Sequence, residues 1–98
     1  MQLQSCTIDN SLLSVDLSNA AIQQTLDKIT VMETLSGFYV VVQIKWSGSK
    51  DWYLVTRRNR NEPKVFKDLK RLNEHLLELC PSTDFKLIRK MDFPPLSA

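Results

Sequence analysis

Glycine is scarce in this chain. Only Gly37 and Gly48 occur in 98 residues. That excludes a glycine-rich phosphate cradle, which needs several glycines within a few residues. Cysteine is scarce too. Cys6 and Cys80 are too few for a disulfide framework, and the single His75 completes no zinc site with them at a familiar spacing. Both read as free thiols, Cys80 as a small hydrophobe at a helix end. No metal and no cofactor are expected. The longest apolar run, Phe38 to Val42, is far short of the ~20 residues that span a bilayer, so no membrane partner is expected. The opening MQLQSCTIDN lacks the basic start and apolar run of a signal peptide. A cytoplasmic location is the expectation. Glu74, Glu78 and the scattered Asp residues show no paired-carboxylate spacing, and no motif gives His75 a nucleophile or an acid. No catalytic residue is assigned, and the chain reads as a non-enzyme.

What is present is an ordinary globular composition, 43% apolar and 24% charged, sized for one hydrophobic core. Residues 1–98 read as a single domain with loose ends at 1–15 and 91–98. The net charge of +2 hides an asymmetry. Residues 1–36 carry four acids against Lys28 alone, while residues 37–98 carry the other twelve bases against seven acids. The surface should be polarised, or the two halves should pair with each other.

The pattern predicts an α+β fold, an antiparallel sheet packed with two helices in the order α-β-β-(β)-α-β. Residues 17–35 read as a helix. Asp16, Ser18 and Asn19 are candidate N-caps, Ile22, Leu26 and Ile29 share a face, and Ser36-Gly37 is the stop. Ile29, Thr30, Val31 and Thr34 weaken its later part, being β-branched. Residues 38–46 alternate as a strand, with Val40, Val42, Ile44 and Trp46 on one side and Tyr39, Val41, Gln43 and Lys45 on the other. Residues 52–58 form the second arm of a hairpin, and 64–66 add a short third strand. Residues 67–80 carry Leu69, Leu72, Leu76 and Leu79 as one apolar stripe of a helix, ended by Pro81. Residues 84–90 read as a last strand.

The stretch KDWYLVTRRNRNEPKVFKDLKR, Lys50 to Arg71, holds eight of the thirteen bases. Aromatics lie among them. Basic groups with aromatics on a strand–turn–helix unit can attract phosphate. If Trp52 and Leu54 face the core, then Tyr53, Arg57, Gln43 and Lys45 share the other side of the sheet. Arg60 and Lys64 in the turn, with Lys67, Lys70 and Arg71 at the helix start, would frame that side. Arg58 falls on the opposite strand face from Arg57. Lys45, Tyr53, Arg57, Arg58, Arg60, Lys64, Lys67, Lys70 and Arg71 are therefore the candidate nucleic-acid contacts. The bland alternative is a solvated basic face.

Residues 39–80, with WYLVTRR followed by KVFKDLKRL, resemble the arm-type DNA-binding domain of tyrosine recombinases and the plant AP2-type domain. The resemblance lies in the order of strands, basic turn and helix, and no invariant motif carries it. It implies a three-stranded sheet laid in the major groove of DNA. The helix before and the strand after are departures from that pattern.

The leading expectation is a small nucleic-acid-binding accessory or regulatory protein. The alternative is a protein-interaction module, an adaptor or inhibitor. Tyr39 and Val41 lie opposite Val40, Val42 and Ile44, and a sheet with one wet face would not normally spend apolar residues there. Either a helix covers each face, or one face meets a partner, for which a homodimer is the candidate.

Overall fold

The computed structural model describes residues 6–48, 50–81 and 83–89. Its order is β1 (Ser11–Leu12), α1 (Ser14–Ile22), β2 (Leu26–Thr34), β3 (Gly37–Ile44), β4 (Trp52–Leu54), α2 (Leu69–Leu79) and β5 (Lys86–Ile88). The strands form one five-stranded sheet in the order β1-β4-β3-β2-β5. The sheet is mixed. β2–β3 and β3–β4 are antiparallel, while β1–β4 and β2–β5 are parallel. The expected α+β class stands, with more strands than expected and without a purely antiparallel sheet. The radius of gyration, 13.0 Å, is that of a single compact domain of this length.

The largest departure falls on residues 17–35. The helix starts earlier, at Ser14, and ends at Ile22. Asp16 accepts from the Leu13 N–H at 3.1 Å, so it holds the helix entry from inside the first turn. The exit is a Schellman motif. Thr25 N–H donates to Ala20 O (2.9 Å) and Gln24 N–H to Ala21 O (3.1 Å). Gln24 occupies the left-handed position at φ 59°, a place glycine usually takes. With no glycine or proline there, the sequence carries no stop signal.

The rest of the expected helix is β2. Ile29 and Val31 are buried on one face and Met32 on the other, the period of two that β-branched residues favour. Ser36-Gly37 is not a helix cap. It belongs to the turn of the β2–β3 hairpin, where Thr34 pairs with Gly37. Gly37 has φ 138°, and a Cβ there would run into the Phe66 carbonyl. Phe38 and Phe66 exchange two backbone hydrogen bonds of 2.8 and 2.7 Å, so the expected third strand shrinks to a single bridge.

β3 stops at Ile44 and a short 3₁₀ turn follows, Lys45–Ser47. Trp46 therefore leaves the core side and is 68% exposed. β4 covers only Trp52–Leu54 of the expected 52–58. Beyond it, Val55 N–H donates to Leu12 O at 2.9 Å, and the chain turns away from β3. Part of the segment expected to be loose is ordered. Thr7 N–H donates to Asn10 Oδ1 (2.7 Å), and Ser11 Oγ to Ile8 O (2.9 Å). Residues 1–5 and 91–98 of the expected loose ends lie outside the described residues.

α2 matches its sequence pattern. Asp68 caps it, accepting from Arg71 N–H at 2.8 Å. Leu72 and Leu76 are buried, and Cys80 packs at the helix end. Both helices lie on one face of the sheet. Leu17, Leu72 and Leu76 join Val31, Val40, Val42, Ile44 and Leu54 in the main core. A second cluster, Met32, Val41, Tyr53 and Val55, occupies the opposite face, flanked by Cys6, Leu13, Tyr39 and Ile88. Neither helix contributes to it. No helix among the described residues is long and apolar enough to cross a membrane.

Candidate nucleic-acid interface

The basic residues are carried by the loop between β4 and α2 and by the first turn of α2. Arg57, Arg58, Lys67, Lys70 and Arg71 are exposed. Arg60 is half-buried. Its Nε donates to Ser11 Oγ at 2.8 Å, and its carbonyl accepts a long contact from the Cys6 thiol, 3.9 Å. Lys64 is held by its backbone, whose N–H donates to Leu54 O at 2.8 Å, while its Nζ lies 5.0 Å above the Phe66 ring. The Arg71–Asp68 contact, 3.6 Å across one helical turn, is an exposed pair worth little. Arg57, Arg58, Lys67 and Lys70 form no ion pair with a described residue.

The sheet-face arrangement expected for Tyr53, Arg57 and Lys45 does not occur. Arg57 lies beyond the end of β4, and Lys45 sits in the 3₁₀ turn. Neither Arg57 nor Lys45 lies on a strand, so strand alternation assigns neither to a sheet face and does not separate Arg57 from Arg58. Tyr53 is 4% exposed, with its ring 5.9 Å from that of Tyr39. Burial, together with nearby Tyr39, Asp51 and Cys6, pushes its phenol up to about 12. Tyr53 is a wall of the helix-free cluster and offers no open ring for stacking.

What the fold does bring together is Arg57 and Lys64. Both line a groove of about 330 Å³ with Leu13, Ser14, Val15 and Thr56 at the start of α1. Two cations and a helix N-terminus suit an anion. Asp16 in the same first turn works against that. Beside the groove, Ser14 Oγ and His75 Nε2 are 3.1 Å apart. The His75 ring also packs on Phe66, with centroids 5.5 Å apart. Burial, then the positive charge of Lys64, lowers the His75 pKa, against an opposing pull from Glu78. The neutral imidazole can accept the Ser14 hydroxyl proton in a hydrogen bond. Among the described residues no carboxylate bonds to the ring, so the pair lacks the third member that orients a catalytic histidine. Its evident work is to tie α1 to α2. The two partners are 61 residues apart, and nothing in the sequence signals the contact.

On the helix-free face, a cleft of about 140 Å³ lies over Met32 and Val41, between Lys28, Thr30, Gln43 and Lys86. Gln43 Nε2 donates to Asp51 Oδ1 at 3.0 Å. Cys6 has its pKa raised by burial and by Glu62, and Cys80 by burial. Both shifts favour the protonated thiol over the nucleophilic thiolate at neutral pH. No group of three or more His, Cys, Asp or Glu among the described residues is placed to hold a metal ion. No protein-family model, curated protein sequence or solved structure matches this chain.

Proposed function

We propose that the chain is a non-enzymatic nucleic-acid-binding domain with an accessory or regulatory role, whose contact surface runs from Arg57 to Arg71. The observation that supports this reading is the unneutralised charge of that segment. Arg57, Arg58, Lys67 and Lys70 are exposed, and none forms an ion pair among the described residues. A phosphate backbone supplies the missing negative charge and releases counterions when it does so. Arg57 and Lys64, which share a groove, are the best placed to grip one phosphate between them. Lys67, Lys70 and Arg71 extend the contact along α2 and position the backbone without reading sequence.

The test is binding of the full chain to random-sequence DNA and RNA as salt is varied. With four to five phosphates engaged, affinity should fall roughly 10²-fold between about 50 and 200 mM salt. Changing both Arg57 and Arg58 to Ala should lower the slope of log affinity against log salt by about 2. No binding at the lowest salt would remove this reading.

A second reading draws on the helix-free sheet face, where Tyr39 and Ile88 flank a buried apolar cluster. On that reading the domain is a protein-interaction module, its simplest form a homodimer through this face. Sedimentation velocity at micromolar concentration tests the dimer. A strictly monomeric profile for the wild type removes the dimer.

A further inference from the structure

The basic loop has a second neighbour besides the Arg57–Lys64 groove. Between α1 and the β3–β4 connection lies a groove of about 360 Å³. That volume is within the range of small-ligand sites, about 300–1,000 Å³. One wall is aromatic. Trp46 stands 68% exposed on the 3₁₀ turn after β3. Trp52 meets it edge-on, with centroids 5.8 Å apart and planes inclined by 64°. The Lys50 ammonium lies 4.1 Å from the Trp52 ring centroid and donates to Asp9 O at 2.9 Å, and Trp52 Nε1 donates to Ser47 Oγ at 3.0 Å. Trp52 is thereby fixed, and it props Trp46 from the side. The opposite wall is α1 with its C-cap, which presents Asp16, Asn19 and Gln23; the Asp16 carboxylate accepts the Leu13 N–H at 3.1 Å and leaves the two carboxamides as the neutral polar groups of that wall. Arg60 reaches the same groove. Its Nε is spent on Ser11, which fixes the guanidinium, while its two amino groups make no hydrogen bond among the described residues.

The indole of Trp46, left two-thirds in water, presents an open apolar face with a polar N–H edge. The chemistry around it selects what covers that face. A flat π-face asks for a flat partner. Two carboxamides offer donors and acceptors to the edge of that partner, and a pinned guanidinium offers two N–H groups to a phosphate. A nucleotide with its base unstacked has all three features. A base inside a duplex has its faces occupied by its neighbours and cannot enter. We propose that this groove binds a single-stranded nucleic acid, with a base stacked on Trp46, its edge toward Asn19 and Gln23, and the adjoining phosphate on Arg60. The inference rests on the nucleic-acid reading and adds to it the strandedness of the ligand and the place of the base.

The experiment measures the affinity of the full chain for a 12-mer of oligo-dT, a 12-mer of oligo-U and a 12-base-pair duplex, about 12 units long in each case to span a few contacts. Wild type is compared with Trp46→Ala, Trp46→Phe and the Arg57→Ala/Arg58→Ala double variant. Trp46→Ala should weaken binding of the preferred single strand about tenfold, with an unchanged salt slope and unchanged duplex affinity. Trp46→Phe should restore most of the loss. Tryptophan fluorescence should be quenched by the single strand in the wild type and much less in Trp46→Ala. Dependence on Trp46 with either sugar supports the inference. If Trp46→Ala binds single strands like the wild type while the double arginine variant is weakened, the groove is not the base site and the function proposed above survives. Equal losses on duplex and single strand would also overturn it, since stacking is closed to the duplex. If the wild type binds none of the three at low salt, both proposals fall. The same holds if the groove takes up only acidic or proline-rich peptide. Trp46 is exposed, so thermal stability should be unchanged in both of its variants, and that measurement separates loss of binding from loss of fold.

Discussion

The two faces of the sheet are built from the same strands and are buried by different means. On one face Val31, Val40, Val42 and Leu54 reach zero exposure beneath Leu17 and Leu72 of the two helices. On the other, Met32, Val41 and Tyr53 are 3–4% exposed, yet neither helix contributes to their cluster. There the walls include Tyr39, Ile88, and Cys6 and Leu13 ahead of α1, and a cleft opens directly over Met32 and Val41. The first face is a dry aliphatic interlock. The second is an apolar floor rimmed by tyrosines and by the lysine stems of Lys28 and Lys86, which can cover apolar surface with their methylenes. Equal burial need not mean equal energetic weight, because the cost of a lost methyl group depends on what is left beside it.

Val40 and Val41 turn that contrast into a measurement. They are adjacent on β3, have the same side chain and are buried at 0% and 3%, but point to opposite faces. Val40→Ala should cost about 2–3 kcal/mol, the transfer of two methyl groups plus a void that the helices and sheet cannot close. Val41→Ala enlarges a cleft that already exists and should cost about 1.5 kcal/mol, close to the transfer alone. Urea unfolding of the two variants, at unchanged m, reads the difference. Equal costs would mean that the helix-free face is as tightly covered as the other.

The contrast also separates what was legible in the sequence from what was not. The helix-covered face was readable wherever one period dominated. The Leu69–Leu79 stripe and the Val40, Val42, Ile44 alternation each fit a single template. Residues 26–34 fit two. Ile22, Leu26 and Ile29 fall at helical spacing, while Ile29 and Val31 alternate as a strand. The turn that decides between them, at Gln23–Gln24, is made by a non-glycine residue at positive φ. The site was legible as charge but not as geometry. Exposure of Arg57, Arg58, Lys67, Lys70 and Arg71 followed from their chemistry. Extending β4 to Arg58 put Arg57 beside Tyr53, and extending β3 to Trp46 put an exposed indole in the core. Both errors are strand lengths. A strand ends where its partner ends, and β4 stops with the two residues of β1, which nothing in the local sequence marks.

A second test asks whether the helix-free face is dry. The Tyr53 phenol is raised from its ordinary value of 10 to about 12, by burial first. The folded pKa lies above the unfolded one, so the folded state favours the neutral phenol. That contribution is complete below about pH 10 and is lost as pH rises from about 10 through 12. Two units correspond to a loss of about 2–3 kcal/mol. Tyr39 is raised as well, by burial, and should add to the same limb. Tyr53→Phe should flatten the alkaline decline in stability, and ultraviolet titration of the wild type should show no tyrosine ionising in its ordinary range before the fold opens. A normal titration of both phenols would show that water reaches this face freely and would leave Val41 as the anomaly.

The smallest expected effect concerns how the covering layer is held. On the helix face the two helices are joined by the hydrogen bond between Ser14 and His75, 3.1 Å. Removing the hydroxyl with Ser14→Ala leaves a half-buried imidazole nitrogen without that partner, and the expected cost is about 1 kcal/mol. The acid limb gives the sign. Burial and Lys64 hold the His75 pKa below its ordinary 6.5, so the unfolded chain takes up the proton more readily than the folded one. The stabilisation due to neutral His75 is complete above about pH 6.5 and is lost as pH falls through the depressed folded value. His75→Gln, which cannot titrate, should be less sensitive to pH in that window than the wild type. Proton NMR of the single histidine ring reads its pKa directly. A value at or above 6.5 would mean that the ring is open to water, and that the layer over the covered face is held by the leucines of α1 and α2 without help from this pair.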